Sequence, residues 1–261
     1  MLLKNKIAVI YGAGGAVGSA VARAFAREGA SVFLAGRTLE TLKAVADEIS
    51  SMGGSAYVAL VDALDAQAVE SHLEEVAGIA GSIDVSFNLI GLGDTQGMPL
   101  IKMTQQRFTL PIETAMRTHF ITATAAARHM VNNGSGVILA LTAQVTRKPA
   151  PDSGGFAVAG AAIEGLCRQL AVEVGPQGIR VVCLRSSGSP DTPGVAEAIR
   201  LHAKNAGISP EAFEAINADK TLLKRLPKLA EVADVALLMA SDHANVITGA
   251  VVNVTCGEIV D

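Results

Sequence analysis

The chain has 261 residues, of which 50% are hydrophobic and only 3% aromatic, and its formal net charge at pH 7 is −4. This length allows one large α/β unit with a sizeable core, and the composition is typical of helices packed on both faces of a parallel sheet. The slightly acidic balance gives no reason to expect nucleic acid or an acidic membrane surface as a partner.

Cysteine usage and the amino terminus bear on the compartment. Cys167, Cys183 and Cys256 are far apart and odd in number, which predicts buried free thiols in a reducing compartment. Residues 1–6 lead directly into an apolar strand pattern, so we expect no signal peptide. We also expect no apolar run that approaches the length of a membrane span. The sequence therefore predicts a soluble cytoplasmic protein.

A glycine-rich stretch follows the first apolar run, residues 7–10, and opens a helical pattern over residues 17–25. It contains Gly12, Gly14, Gly15 and Gly18. Between a strand and a helix, glycines permit a tight turn and a close approach of the backbone to a pyrophosphate, and the free N–H groups of the first helical turn face the anion. A sharp turn without a ligand is the alternative, but the strand-to-helix context favours a dinucleotide site.

Apolar runs and longer helical patterns then alternate, without a linker or a repeat. Further strands are predicted over residues 31–35, 56–61, 85–90, 137–141, 181–184 and 251–254, and helices over 38–52, 66–80, 113–131 and 156–174, with another at Glu231. Thr38 is predicted to cap the helix over 38–52. This order predicts right-handed βαβ units in a Rossmann-like, doubly wound, mostly seven-stranded parallel sheet. We interpret residues 1–261 as a single domain.

One segment interrupts this alternation. Residues 189–228 form a long insertion after the sixth predicted strand, with several prolines and with helical patterns over 195–206 and 210–219. A long excursion at the carboxyl end of a strand predicts a lid over the ligand crevice. A flap used for packing or oligomer contacts is the alternative.

The end of the second strand bears on which dinucleotide is bound. An acidic residue there usually binds the ribose 2′-hydroxyl of NAD, but here Gly36 is followed by Arg37 and Thr38. A guanidinium makes charge-assisted, often bidentate bonds to a 2′-phosphate, so Arg37 favours NADP(H) over NAD(H). A solvated surface charge is the alternative for Arg37. Asp62, just past the third strand, is placed to cap a turn and to lie near the adenine.

Several stretches match the motifs of a known family. Tyr11, Gly12, Ala16 and Gly18 stand in a Thr-Gly-x-x-x-Gly-x-Gly motif, with Ala16 in place of the middle glycine. Residues 84–91 look like a strand that ends in Asn-Asn-Ala-Gly, residues 172–181 like the stretch after an active-site helix, and residues 226–234 and 247–254 like the closing elements. On these motifs the chain, from residue 6 to residue 257, is identified as a member of the short-chain dehydrogenase/reductase family.

The resemblance extends the predicted cofactor site beyond the glycine loop. Asp62 matches the adenine-side aspartate of the family, and Asn88 and Gly91 are kept in the strand-end motif. The predicted cofactor-binding residues are Gly12, Gly14, Gly15, Ala16, Val17, Gly18, Arg37, Asp62, Ala63, Asn88 and Gly91. No metal site is predicted.

The resemblance also implies catalytic positions that this chain does not fill. In the family a tyrosine is the general acid/base, a lysine four residues later lowers its pKa and holds the nicotinamide ribose, a serine polarises the substrate carbonyl, and an asparagine supports a proton-relay water. These positions fall on Phe156, Gly160, Ala143 and Ala115, which supply no ionisable proton, charge or hydroxyl. Because a placed proton donor is worth about 10²–10⁴ in rate, we expect the usual carbonyl reduction to be absent.

Other polar side chains near the expected crevice are candidates for substitutes, although they form no constellation. They are His119, Thr142, Gln144, Lys148, Asp152, Ser153 and Arg185. Arg185 ends a strand, where it could contact an anion (a substrate carboxylate or a cofactor phosphate) or form a salt bridge across the crevice. We interpret His119 as a satisfied helix or interface histidine, and Lys148 and Asp152 as loop charges.

Two functions of different class remain open. The first is an oxidoreductase that works by an unusual route on an activated C=C or C=N bond, where water or the substrate supplies the proton. The second is a catalytically silent homologue that acts as a nucleotide sensor or as the oligomer partner of an active relative. If Ala16 and Gly160 weaken cofactor binding strongly, the crevice could hold another small molecule instead.

The resemblance further implies a homodimer or homotetramer. The family assembles through its two long helices, here predicted over 113–131 and 156–174. A face formed by Ala157, Gly160, Ala161 and Glu164 is predicted to suit close helix packing. We expect no partner besides a second copy and a small-molecule substrate or nucleotide.

Overall fold

A seven-stranded, entirely parallel sheet forms the centre of the molecule in the computed structural model, which describes residues 1–260. The strands are β1 (Ile7–Tyr11), β2 (Ser31–Gly36), β3 (Ser55–Leu60), β4 (Val85–Asn88), β5 (Gly136–Ala143), β6 (Ile179–Ser186) and β7 (Val251–Val254). Their order in the sheet is β3-β2-β1-β4-β5-β6-β7. The order changes direction between β1 and β4, which places a ligand crevice at the carboxyl ends of these strands.

Helices cover both faces of the sheet. They are α1 (Ala16–Arg27), α2 (Leu39–Ser51), α3 (Ala66–Ala80), α4 (Gln105–Asn133), α5 (Gly154–Val174), α6 (Pro193–Ala206), α7 (Pro210–Asp219) and α8 (Leu229–Ala240). One apolar core joins α1, α2 and α8 to the sheet, and a second joins α3, α4 and α5 to the opposite face. Alternate residues of one strand enter different cores, as Ile10 and Tyr11 of β1 do, because side chains alternate across a strand. The predicted Rossmann-like fold is confirmed.

The longest helix begins earlier than its sequence pattern predicts. Helix α4 begins at Gln105 rather than near Glu113, and Pro111 lies inside it. A proline normally ends or kinks a helix because it lacks an N–H group and its ring crowds the preceding turn. Here Pro111 is buried against the first turn of α5, where a Cβ on Gly155 would lie 2.9 Å from its Cγ. Tertiary packing therefore overrides the local signal.

The expectation about membrane-length segments was wrong for one helix. Residues Gly154–Gln177 are long and apolar enough, by length and composition alone, to cross a membrane. In this fold α5 instead packs against α4, β5 and β6, and it carries a buried Glu164. Its apolar character is that of a core helix.

Two smaller expectations also need correction. Cys167 and Cys183 are buried and free as predicted, but Cys256 is only partly buried. Thr38 precedes α2 in an extended conformation, yet its side chain accepts no capping hydrogen bond. The hydroxyl of Thr41 instead donates to the Thr38 carbonyl at 3.0 Å, so the helix begins where predicted without the predicted cap.

Candidate functional site

The glycine loop after β1 forms a tight turn in which side chains are excluded. Gly12 has φ of +76°, and a Cβ there would lie 2.6 Å from the Leu89 carbonyl oxygen. A Cβ on Gly18 would overlap the Gly12 carbonyl oxygen. These two glycines therefore let the loop lie against the end of β4 and let α1 lie against the loop.

The start of α1 presents unpaired backbone donors. Gly15 is the N-cap and offers no side chain, and the first turn contains no acidic residue. The first intrahelical bond runs from the Ser19 N–H to the Gly15 carbonyl at 2.8 Å, so the N–H groups of Ala16 and Val17 have no intrahelical acceptor. Both residues are partly exposed. This cradle fits a pyrophosphate group, which the fold family binds at this place.

The residues predicted at the adenosine end lie beside the end of β2. Arg37 is exposed and makes no ion pair within residues 1–260. The N–H of Val61 donates to the Gly36 carbonyl at 2.9 Å, which brings residues 61–63 next to Arg37. Asp62 accepts the N–H of Leu64 at 3.0 Å, so it does cap a turn, while the buried Ala63 anchors that turn in the core.

Asn88 and Gly91 lie at the carboxyl end of β4. Asn88 is buried, donates to the Thr122 hydroxyl at 3.2 Å and accepts the N–H of Ile90 at 3.0 Å. It therefore fastens the turn after β4 to α4. Gly91 is exposed, and a Cβ there would meet no atom within 4 Å.

The four positions that the resemblance assigns to catalysis hold no ionisable side chain. Ala143 ends β5, Phe156 is partly buried against the core beneath α5, and Ala115 is fully buried in α4. Gly160 is buried, and a Cβ there would overlap the Cγ2 methyl of Thr146. No side chain fits at residue 160 unless Thr146 moves.

A buried ion pair lies about one helical turn beyond Gly160, where α5 meets the carboxyl end of β6. Glu164 and Arg185 have side chains that are each 7% exposed, with Arg185 Nη2 2.8 Å from Glu164 Oε2 and Nε 2.9 Å from Oε1. Arg185 also donates through Nη1 to Asn253 Oδ1 at 3.1 Å. Of the two roles considered for Arg185, the salt bridge is the one that the structure shows.

Two threonines complete this network on the Glu164 side. Thr142 and Thr146 donate their hydroxyls to Glu164 Oε1 at 3.0 and 2.6 Å. Glu164 was predicted to belong to a face of α5 that suits close helix packing in an oligomer. This was wrong, because the rotation of α5 turns Glu164 onto β5 and β6. Burial raises the pKa of the Glu164 carboxyl, but the hydrogen bonds from Arg185, Thr146 and Thr142 together with the Arg185 charge outweigh it, so the net shift is downward.

The remaining substitutes do not converge on the crevice. Lys148 is exposed, Gln144 is partly buried, and Ser153 is buried with its hydroxyl donating to the Ala150 carbonyl at 3.0 Å. Asp152 adopts φ of +61° and accepts a hydrogen bond from Asn205 of α6 at 3.3 Å.

His119 is less satisfied than predicted. Its Nδ1 lies 3.0 Å from the Ala115 carbonyl oxygen, whereas Nε2 is buried without a partner. Burial lowers the pKa of His119 to about 4, although the bond to Ala115 opposes this. The ring borders a cavity of about 10 Å³ with Asn88 and Cys167, which has room for about one water molecule.

The predicted lid contains both expected helices, and α6 contacts loops on the crevice side. Asn205 donates to the Gly97 carbonyl at 2.9 Å, and His202 Nε2 lies 3.1 Å from Gln96 Oε1. The N–H of Gly97 in turn donates to the Asp152 carbonyl at 2.9 Å. Helix α6 therefore connects the loop after β4 to the loop after β5.

Sequence reasoning missed Glu164 and Thr146 as members of the site. The available signal for Glu164 was one acidic residue within the otherwise uncharged stretch 156–167 of a long apolar helix. Its partner Arg185 was visible as an arginine at a strand end. No comparable signal existed for Thr146, because its contact with Gly160 depends on how the turn Gln144–Thr146 folds back onto α5.

Comparisons with known proteins agree with this architecture. Residues 12–258 match the family described as "Enoyl-(Acyl carrier protein) reductase". A Bacillus subtilis protein named as an uncharacterized oxidoreductase is 30% identical over 247 residues, which cover 95% of this chain and 88% of that protein. The 3-oxoacyl-(acyl-carrier-protein) reductase of Chlamydia muridarum is 29% identical over 257 residues, 98% of each chain.

A solved structure gives the same result for the fold. Carveol dehydrogenase from Mycobacterium avium, in complex with NAD, superposes with a TM-score of 0.90 and 25% identity and covers 98% of both chains. Nicotinamide dinucleotides are thus bound by structural relatives of this chain. On the family match, the relatives and the fold, this protein belongs to the short-chain dehydrogenase/reductase family of oxidoreductases.

Proposed function

We propose that this chain is an NADP(H)-binding oxidoreductase with an atypical active site, and that it reduces an activated C=C or C=N bond. One observation carries the proposal: the glycine cradle at α1 has the geometry of a pyrophosphate site, while the matched positions Ala143, Phe156 and Gly160 offer no proton donor. We therefore propose cofactor binding at the start of α1 and no side-chain general acid at residues 143, 156 and 160.

Different residues of the chain would bind different parts of the cofactor. The cradle from Gly12 to Gly18 would hold the pyrophosphate, and Arg37 would pair with a 2′-phosphate. Asp62 and Ala63 would border the adenine, and Asn88 and Gly91 would border the other half. A bound nicotinamide cofactor supplies the hydride.

The neighbouring charges do not replace the missing acid. Glu164 and Arg185 neutralise each other in a buried ion pair that further hydrogen bonds hold in place, so we assign neither of them as a proton donor to a substrate. Reduction of an activated alkene or imine depends less on acid catalysis than reduction of a ketone does, and water or the substrate can supply the proton. The family description names an enoyl reductase, which acts on a C=C bond.

A catalytically silent homologue is the second candidate. This candidate is favoured by the overlap between Thr146 and any side chain at residue 160. The family's catalytic lysine would stand at residue 160, and it does not fit there unless Thr146 moves. Such a protein would bind the nucleotide as a sensor or join an active relative.

The assembly and location follow from the same proposal. We propose a cytoplasmic homodimer or homotetramer that uses α4 and α5, where Phe120 and Val158 are exposed apolar residues. We propose residues 189–228 as the substrate lid, and a small molecule as the substrate, with neither nucleic acid nor membrane as a partner.

Calorimetric titration with NADPH and NADH tests the proposal. We expect micromolar binding of NADPH, weaker binding of NADH, and a roughly tenfold loss for NADPH in Arg37→Ala. Lys43→Ala, which removes an exposed positive charge from the neighbouring helix α2, is the matched control and should bind as the wild type does. Oxidation of NADPH with a panel of activated alkenes and imines then separates an enzyme from a sensor. Absence of binding to either nucleotide refutes the proposal.

A further inference from the structure

Gly160 and Thr146 fit together as a pair. Gly160 lies in the interior of α5 and is buried, a position where glycine is less stable than alanine by about 1 kcal/mol. A Cβ on Gly160 would overlap the Thr146 Cγ2 methyl, while Thr142 Cβ would be at an ordinary 3.8 Å. The space beside Gly160 is therefore filled by one methyl group.

That methyl group is held in place by the buried ion pair. The Thr146 hydroxyl donates to Glu164 Oε1 at 2.6 Å and accepts from Arg185 Nε at 3.2 Å. Because hydroxyl and methyl share one χ1 angle in threonine, fixing the hydroxyl fixes the methyl. Rotating the methyl away from Gly160 would break both hydrogen bonds in a buried environment.

Thr146 follows the carboxyl end of β5, and this position has a consequence for binding. In doubly wound folds a dinucleotide lies across the switch point, with its pyrophosphate at the first helix and its adenosine half over β1 and β2. The other half then extends over β4 and β5, where Ala143 ends β5 and the turn Gln144–Thr146 follows.

We infer that Thr146 is a specificity-determining residue: its methyl group, fixed by Glu164 and Arg185, closes the space beside Gly160 and limits how deeply the second half of a dinucleotide enters the crevice. The inference deepens the proposed NADP(H) site and rests on it. Binding then depends mainly on the adenosine half, and the wild type should bind NADPH and 2′-phospho-ADP-ribose with dissociation constants within roughly threefold of each other.

A stability cycle tests the packing without any ligand. Gly160→Ala should lower the Tm by several degrees in the wild type, because it forces Thr146 off its hydrogen bonds, and should raise it by roughly 2–4 °C in a Thr146→Ser background. Serine keeps the hydroxyl and removes the methyl. Gly165→Ala in the same helix, where a Cβ meets nothing within 4 Å, is the control and should raise the Tm in both backgrounds.

The cycle stays decisive when a variant does not fold. If Gly160→Ala alone is unfolded, recovery of the folded protein by Thr146→Ser supports the inference, and an unfolded double variant overturns it. A higher Tm for Gly160→Ala in the wild-type background also overturns it.

A binding comparison tests the specificity. Titrations with NADPH and with 2′-phospho-ADP-ribose should show at least a threefold preference for NADPH appearing in Thr146→Ser, with unchanged affinity for the shorter ligand. Thr146→Val, which replaces the hydroxyl with a second methyl group and so keeps the space beside Gly160 filled, should show no such preference. An unchanged ratio in Thr146→Ser overturns the inference. A wild type that binds neither ligand refutes the proposed function instead, and the stability cycle then decides whether Thr146 blocks residue 160.

Discussion

Acidification from pH 7 to pH 5 should destabilise the folded protein by about 2 kcal/mol through His119 alone. Burial lowers the pKa of this histidine from 6.5 to about 4 in the folded state, whereas the unfolded chain keeps the ordinary value. The unfolded state therefore takes up the proton first, and stability is lost as the pH falls from 6.5 towards 4. The full difference corresponds to about 3.4 kcal/mol, of which about 2 kcal/mol is lost by pH 5.

Urea unfolding at several pH values between 5 and 8 measures this effect. His119→Gln should remove most of the slope between pH 7 and pH 5. Burial also lowers the pKa of His72, against the opposing charge of Glu75, so a smaller slope of the same sign should remain. His243→Gln, which replaces an exposed histidine, is the control and should keep the wild-type profile. If His119→Gln retains the full pH dependence, the buried, uncharged state of His119 is refuted.

Three further changes bear on the site. Glu164→Ala removes the carboxylate that Arg185 faces in a buried environment and should lower the free energy of unfolding by about 3–5 kcal/mol, measured with urea; a loss below about 1 kcal/mol would contradict the buried pair. Gly18→Val places a side chain against the Gly12 carbonyl and should abolish NADPH binding in calorimetry. Retained NADPH affinity would contradict the proposed position of the cofactor at the start of α1. Ala143→Ser, Phe156→Tyr and Gly160→Lys together should restore detectable carbonyl reduction, followed as NADPH oxidation, and more strongly with Thr146→Ser added; inactivity despite retained folding and NADPH binding would contradict the assigned positions.

The sheet could be predicted almost strand by strand because its signals are local. Each parallel strand is a short apolar run, and each run is followed by a turn and a helical pattern. Strand β1 was predicted to within one residue, and β7 matches its predicted bounds. The start of α4 was not predictable in this way, because Pro111 is accommodated by contacts with α5 that local sequence does not encode.

The glycine loop was predicted in position, but the structure changes the reason for one residue. Gly18 was assigned to the cofactor site from its motif. A Cβ on Gly18 would overlap the Gly12 carbonyl oxygen, so the absence of a side chain at Gly18 allows α1 to pack on the loop. The N–H groups that face a ligand belong instead to the partly exposed Ala16 and Val17. Spacing alone cannot separate these roles.

The network around Glu164 could not be predicted, because it depends on how α5 is rotated against β5 and β6. Glu164 and Arg185 belong to different elements, and their contact requires one face of α5 to meet the carboxyl end of β6. Periodicity places Glu164 on a helix face but does not say whether that face meets the sheet or another subunit. This ambiguity produced the wrong assignment of Glu164 to an oligomer surface.

The unusual residues near β5 depend on one another, and this explains how binding and chemistry can diverge in one crevice. Glycine is required at residue 160 because of Thr146, and Thr146 is fixed by Glu164 and Arg185. A lysine at residue 160 would displace the Thr146 methyl and disturb the hydrogen bonds of its hydroxyl, so the packing opposes Gly160→Lys as a single change. The cradle from Gly12 to Gly18 is built on β1 and α1 and shares none of these contacts. The proposed pyrophosphate and adenosine contacts can therefore stay the same while the β5 side carries a different chemistry, or none.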